Sequence, residues 1–226
     1  MATIKIYNND ENRMETYFRR EDEAMPYNTG NTLKVAEFRG SSRSDLLWTE
    51  KRAMQSWNSF RFLYGRPISV GFAFKRPREG GHSRQSQHYA GLAFDVGQNL
   101  NNAQRAEMRN LAYQSGLWTY VEPVSLSPTW VHFDRRRGTP ACASGGYPLV
   151  RTGSLGAYVL ALQDALNALG YGAGGLDGIF GAATASAVMA FQRGNGLVAD
   201  AIVGCMTWNS LMYAAVPGSL LIVRMD

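Results

Sequence analysis

Cysteine is nearly absent from this chain of 226 residues: there are two, Cys142 and Cys205. Far apart and with no Cys-x-x-Cys spacing, they exclude a disulfide scaffold. Two readings are open for them, a pair of free thiols or one long-range disulfide. Histidine is scarcer than in most chains, with three residues, His82, His88 and His132. No apolar run approaches the ~20 residues that a membrane span needs. The tail run Leu220 to Val223 fits a short strand. Disorder is excluded by composition, because 45% of residues are hydrophobic and 12% aromatic.

Charge is unevenly spread. The total is +5, yet the residues from Gly146 onward carry three basic and four acidic side chains, so the first 145 hold all the excess. A basic part beside a near-neutral part suggests two domains and an anionic partner for the first. Arg135-Arg136-Arg137 is the densest basic run. No recognised basic-aromatic module accompanies it, so nucleic acid is not expected. Met1 to Arg20 lacks the basic and apolar regions of a signal peptide.

Periodicity divides the chain further. Ile4 to Tyr7 and Met14 to Phe18 alternate around Asn8-Asn9-Asp10, which predicts a β-hairpin. Leu33 to Gly40 reads as a short strand or turn. Ser44 or Asp45 can cap a helix reaching about Tyr64, with Leu46, Leu47, Met54, Trp57 and Phe60 inward. Strands are expected over Ile68 to Phe74, Leu92 to Val96, Trp118 to Val124 and Thr129 to Asp134. A polar loop spans Lys75 to Gln87, and a helix Asn102 to Ser115 ends at Gly116. This is an α+β pattern, a small, mainly antiparallel sheet with flanking helices. Gly138 to Pro148 reads as a linker. Beyond it, Tyr158 to Leu169, Ala182 to Phe191 and Thr207 to Tyr213 read as helices of a small bundle. The expected domains are 1–137, a linker 138–148, and 149–226.

Two histidines stand near aspartates, in Ser86-Gln-His-Tyr-Ala-Gly-Leu-Ala-Phe-Asp95 and Trp130-Val-His-Phe-Asp134. Imidazole and carboxylate are ordinary zinc ligands, and three of them with one open position make a catalytic site. These strings resemble the zinc D-alanyl-D-alanine carboxypeptidases and related peptidoglycan peptidases, which share a fold with lysostaphin-type and Hedgehog signalling domains. The family pattern Ser-x-His-x-x-Gly-x-Ala-x-Asp is matched by Ser86, His88, Gly91, Ala93 and Asp95, and the late aromatic-x-His by Trp130 and His132. Glu37-Phe38-Arg39 and Arg66-Pro67-Ile68 resemble further family elements, so the resemblance covers about residues 30 to 140. It implies zinc held by His88, Asp95 and His132.

The resemblance has two gaps. Many family members carry an acidic general base three residues before the last histidine, where this chain has Thr129, which takes no proton at neutral pH. Glu122, expected opposite His132 on the preceding strand, can replace it. So can Asp134, which can instead orient His132. Carboxypeptidase relatives also place Arg after Gly-Phe/Tyr, where this chain has Ala73. Lys75, Arg76 or Arg84 can substitute as a carboxylate anchor, or can be solvated loop cations. His82 either stabilises an oxyanion or caps its loop.

Residues 149 to 212 resemble the peptidoglycan-binding domain of many wall hydrolases. The matching strings include Leu162-Gln163-x-x-Leu166, Asp177-Gly178-x-Phe180-Gly181-x-x-Thr184, Phe191-Gln192 and Val203-Gly204-x-x-Thr207-Trp208. Ala201 departs from a position where that family prefers Gly. Together the two resemblances imply a monomeric zinc metallopeptidase, an endopeptidase rather than a carboxypeptidase, anchored to bacterial peptidoglycan. The alternative is a non-catalytic wall-binding protein with a vestigial zinc site. Either reading implies an extracellular or cell-wall location, with no membrane partner and with release by lysis, from a spore or by non-classical export.

Overall fold

The computed structural model describes residues 1–218, so the strand expected at Leu220 to Val223 lies outside the described residues. The chain is a mixed α+β protein with three small sheets and six helices among those residues. β1 (Ala2–Asn8) and β2 (Arg13–Arg19) form the expected hairpin, in register from Ala2↔Arg19 to Asn8↔Arg13. Val35–Arg39 is not a strand but a short helix, α1. The Glu37 carboxylate accepts from the Lys34 backbone N–H at 2.8 Å, which fixes its first turn.

The first half of the expected helix from Ser44 to Tyr64 is also different. Leu46–Glu50 is strand β3, paired parallel to β1, and the helix α2 runs over Lys51–Tyr64 only. Leu47, Trp48 and Thr49 are all fully buried. A segment covered on both faces reads as a continuous apolar run, which periodicity alone does not distinguish from a helix. The β1–β3 pair is parallel, and the other named strand pairs are antiparallel, in keeping with the mainly antiparallel expectation.

The second sheet has the order β4-β5-β7-β6, with β4 Val70–Phe72, β5 Ala93–Val96, β6 Tyr120–Val121 and β7 Val131–Asp134, all antiparallel. Helix α3 (Asn102–Gln114) starts at Asn101, whose side chain accepts from the Gln104 N–H. Between the sheets lies an aromatic core in which Trp57 packs on Phe94 at 4.7 Å and Trp118 stacks on Phe133 at 4.3 Å.

The stretch expected as a linker is itself folded. Pro140–Cys142 (β8) and Gly145–Pro148 (β9) form a two-stranded sheet, and Cys142 is bonded to Cys205 with Cα atoms 4.8 Å apart. Helices α4 (Ala157–Ala168), α5 (Ala182–Gly194) and α6 (Cys205–Ala215) follow. Two equivalent loops join them. In the first, the buried Gln163 accepts from the Gly178 N–H and donates to Asp177 Oδ1 at 2.7 Å and to Thr184. In the second, the buried Gln192 accepts from the Ala201 N–H and donates to Asp200 Oδ1 at 3.0 Å and to Thr207. The glutamines replace backbone partners that an isolated loop would lack.

The helical part packs directly on the sheet part. The Tyr147 hydroxyl donates to the Ser86 carbonyl at 2.6 Å, and the Tyr158 hydroxyl donates to Gln87 Oε1 at 2.9 Å. Arg137 spans both parts, pairing with Glu50 at 2.8 Å and donating to the Leu155 carbonyl.

Candidate metal centre

The hydrogen-bonded centre of the second sheet positions the site. Asp95 on β5 lies opposite His132 on β7 in the register. His88 arrives from the loop before β5, which Gly91 turns at a φ of +67°. A Cβ on Gly91 would stand 2.0 Å from the Trp48 carbonyl oxygen, so the small residue lets this loop press against β3. The Trp48 indole N–H donates to the Tyr89 carbonyl and the Thr49 hydroxyl to the Gly91 carbonyl, fixing the segment from both ends.

The donor chemistry at His88 is decided by its neighbours. Nδ1 lies 3.0 Å from the Ala73 carbonyl, which can only accept, so Nδ1 carries the proton. Nε2 is then a bare lone pair, and it is buried without a hydrogen-bond partner. It faces Asp95 Oδ2 at 3.3 Å. Two ligands of one tetrahedral ion at ~2.0–2.1 Å stand about 3.3 Å apart, so this pair already has ligand spacing. His132 turns Nδ1 toward Asp95 Oδ1 at 2.7 Å and Nε2 toward Asp134 Oδ2 at 3.3 Å. Imidazole and carboxylate donors suit zinc; those of His82, His88 and Asp95 converge within 4.8 Å of one another, while His132 is turned into hydrogen bonds with Asp95 and Asp134.

Charges around these donors are coupled. Burial disfavours the Asp95 carboxylate, but the hydrogen bond from His132 outweighs it and holds the group well below the usual carboxylate range. Burial likewise disfavours charged His132, yet Asp134 and Asp95 push it up to about 9. Burial and the neighbouring His88 push His82 down to about 4.

The remaining expected site residues separate into two groups. His82, Arg84, Glu122, Trp130, His132 and Arg136 line one cleft of about 410 Å³ with His88 and Asp95. Glu122 falls opposite His132, as its backbone N–H donating to the His132 carbonyl at 2.9 Å requires. Asp134 is fully buried, where it accepts from Arg136 Nε at 2.8 Å and faces His132. Arg76 does not face the cleft. Its guanidinium pairs with the buried Asp164 of α4 and lies over Trp48. Arg84 lies over the Tyr213 ring at 4.5 Å. The Arg135–Arg137 run is not a free anion patch, since its members bind Thr119, Asp134 and Glu50 in turn. Sequence reasoning passed over Ser144, Gly145 and Gly146, which line the cleft from the β8–β9 hairpin. Its Gly and Pro content signals a linker, and pairing between two such short strands leaves no periodic trace.

Residues 156–211 match the family described as "Putative peptidoglycan binding domain". An uncharacterized protein in the bpoA1 3' region of Kitasatospora aureofaciens is 40% identical over 86 residues, which cover 36% of this chain and 73% of that protein. The chain belongs to the family of that protein, and its C-terminal region is a peptidoglycan-binding domain. Among solved structures, a peptidoglycan-binding protein from Clostridioides difficile in complex with glutamine hydroxamate is 42% identical. The alignment covers 30% of this chain and 43% of that one, with a TM-score of 0.30. The SleB N-terminal domain is 34% identical, covering 30% of this chain and 92% of that one, with a TM-score of 0.29. The chain spans less than half of the Clostridioides difficile protein. Among the described residues, no helix is long and apolar enough to cross a membrane.

Proposed function

We propose that the chain is a zinc-dependent peptidoglycan hydrolase. Residues 1–137 would cut a peptide bond of the stem or cross-link, and the C-terminal domain would hold the enzyme on the wall. The observation that carries the reading is the buried, unpartnered Nε2 of His88 at ligand spacing from Asp95, with His132 Nδ1 on the other side. A buried acceptor without a partner costs about 1–3 kcal/mol, which a ligated ion would relieve. Tethering by the C-terminal domain raises the local substrate concentration without new catalytic contacts.

A zinc ion bound there supplies Lewis acidity, polarising the scissile carbonyl and lowering the pKa of a water toward ~7. His88 contributes Nε2, because Ala73 holds its Nδ1 proton. His132 would contribute Nδ1 once the ion displaces the proton it shares with Asp95, keeping its Nε2 proton toward Asp134. Asp134 is itself fixed by Arg136 and is a positioning residue, which leaves Glu122 as the base. Its carboxylate takes the proton of the attacking water while the carbonyl carbon gains the new C–O bond. It then delivers that proton to the departing amine as the C–N bond breaks. Trp130 and the β8–β9 hairpin wall the cleft. Ala73 stands in place of Arg, Arg76 is tied to Asp164 and the cleft's Arg136 is paired with Asp134, so the carboxylate anchor of a carboxypeptidase is not reproduced by these residues, which favours an endopeptidase.

A non-catalytic wall-binding protein is the second reading, and Thr129 favours it. One experiment separates them. Purified wall is incubated with the zinc-loaded chain, with and without chelator, and released fragments are read by mass spectrometry. Chelator-sensitive fragments with new amino termini are expected, lost in Glu122→Gln although that variant keeps its zinc. Wall that is bound but uncut refutes the enzyme. Release of free D-alanine alone refutes the endopeptidase.

A further inference from the structure

The cleft holds a third histidine that the ligand set above does not use. The ligand atoms of His82, His88 and Asp95 all lie within 4.8 Å of one another. The rings of His82 and His88 are 4.5 Å apart, and Phe72 backs both, at 4.2 Å and 5.0 Å. Nor is His82 a loose loop residue. The Tyr89 hydroxyl accepts from its backbone N–H at 3.0 Å and donates to its carbonyl at 3.1 Å. Tyr89 is fully buried, so a residue adjoining His88 clamps the His82 backbone at the rim.

We propose, resting on the zinc reading above, that His82 is a fourth protein ligand that closes the coordination sphere in the resting chain. Four protein ligands make a closed site, whereas hydrolysis needs one position open. The ligand atoms of His82, His88 and Asp95 lie within 4.8 Å, at most about 1.5 Å beyond tetrahedral spacing, so His82 stands close enough to join His88 and Asp95 on one ion. The His82 loop runs from Lys75 to Gln87 and carries Gly80 and Gly81 at positive φ. Gly80 sits against Pro217, just beyond α6, where an added Cβ would lie 2.9 Å from the Pro217 carbonyl oxygen. The outer side of the loop thus rests on the segment just beyond α6, and Arg76 in the same loop pairs with Asp164 of α4. Departure of His82 from the ion would open the position that substrate needs, and engagement of the wall by that domain is placed to move this loop.

The test uses the full chain loaded with cobalt(II) in place of zinc and acetohydroxamate as a probe of an open position. The wild-type visible spectrum is expected to resist the probe, and His82→Ala to take it up at concentrations at least ten-fold lower. Competition with a chromophoric chelator is expected to show zinc held about 10-fold more weakly or worse in His82→Ala, since losing even an outer partner of a ligand costs 10–100-fold. Tyr89→Phe, which releases the clamp but keeps the imidazole, is expected to fall between the two. If His82→Ala does not fold, His82→Asn is read in the same way. A His82 variant with unchanged zinc affinity, or a wild-type spectrum that accepts the probe as readily as the variant, overturns the fourth ligand and leaves the three-ligand site standing. A wild-type chain that holds no metal overturns both.

Discussion

Ala201 stands where its partner loop has Gly178, and both have left-handed backbone, at φ of +59° and +73°. In this conformation an L-residue pays about 1–2 kcal/mol that glycine does not. Glycine gives back about 0.5–1 kcal/mol through its larger unfolded-state entropy. Ala201→Gly is therefore expected to stabilise the chain by about 0.5–1 kcal/mol. The Gln192–Ala201 backbone hydrogen bond survives the change, because it uses only the N–H. Gly178→Ala has the opposite sign and a larger size. It adds the same strain, and its Cβ would lie 2.8 Å from Met14 Cε and 3.2 Å from Leu160 Cγ. The flexible end of Met14 can give way and Leu160 must shift only slightly, so the overpacking sits at the low end of its range, about 1 kcal/mol, and a net loss of about 1.5–2 kcal/mol is expected. Thermal melts of both variants check the pair. For a chain of this size 1 kcal/mol moves the Tm by about 2–4 °C, so Ala201→Gly should rise by about 2 °C. A melting temperature that falls in Ala201→Gly, or stays unchanged in Gly178→Ala, would refute the strain argument.

Reducing the Cys142–Cys205 bond opens a loop whose ends are 63 positions apart. On chain entropy alone that should destabilise the chain by about 4 kcal/mol, read as a Tm drop in reductant that the Cys142→Ser, Cys205→Ser double variant reproduces without reductant. An unchanged Tm refutes it. Glu15 gives a pH test in which no metal takes part. Burial disfavours its carboxylate, but hydrogen bonds from Tyr27, Asn8 and Tyr17 hold it down to about 2. With the folded pKa below the unfolded value, its contribution is present above about 4.5 and is lost as pH falls toward about 2. The linkage gives at most about 3 kcal/mol. Urea midpoints of wild type and Glu15→Gln should therefore converge between pH 6 and pH 3; curves that stay parallel refute it.

What the sequence showed and hid follows physical lines. The hairpin at Asn8 to Asp10, the Asn101-capped helix and the three C-terminal helices were legible because turn, cap and period are local signals. The opposition of Glu122 to His132 was legible because one short turn sets the register. Strand β3 was hidden because an apolar run buried on both faces has no alternation. The tie of Arg76 to Asp164 was hidden because it joins residues 88 positions apart in two domains, and nothing local marks an arginine that will be spent on an interface. The hairpin that walls the cleft read as a linker because its Gly and Pro content masks two strands too short to leave a period.

That interface changes what the two domains are to each other. Asp164 is buried on α4, and burial pushes its carboxyl up even against the pull of Arg76. Ser86 and Gln87, directly before the proposed ligand His88, receive the hydroxyls of Tyr147 and Tyr158. Gln85 Oε1 accepts from the Tyr147 N–H, and Gln85 Nε2 donates to Asn209 on α6. Three consecutive residues on the chain entering the candidate metal centre are thus held by the β8–β9 hairpin and the helices beyond it, and the disulfide ties the cleft-lining hairpin to that same α6. Two domains joined by a flexible linker would need only tethering to cooperate. Here the β8–β9 hairpin walls the cleft and is bonded to α6, and the peptidoglycan-binding domain supports the segment before His88 through Tyr158 and Asn209, so its removal should disturb the donor geometry as well as the anchoring.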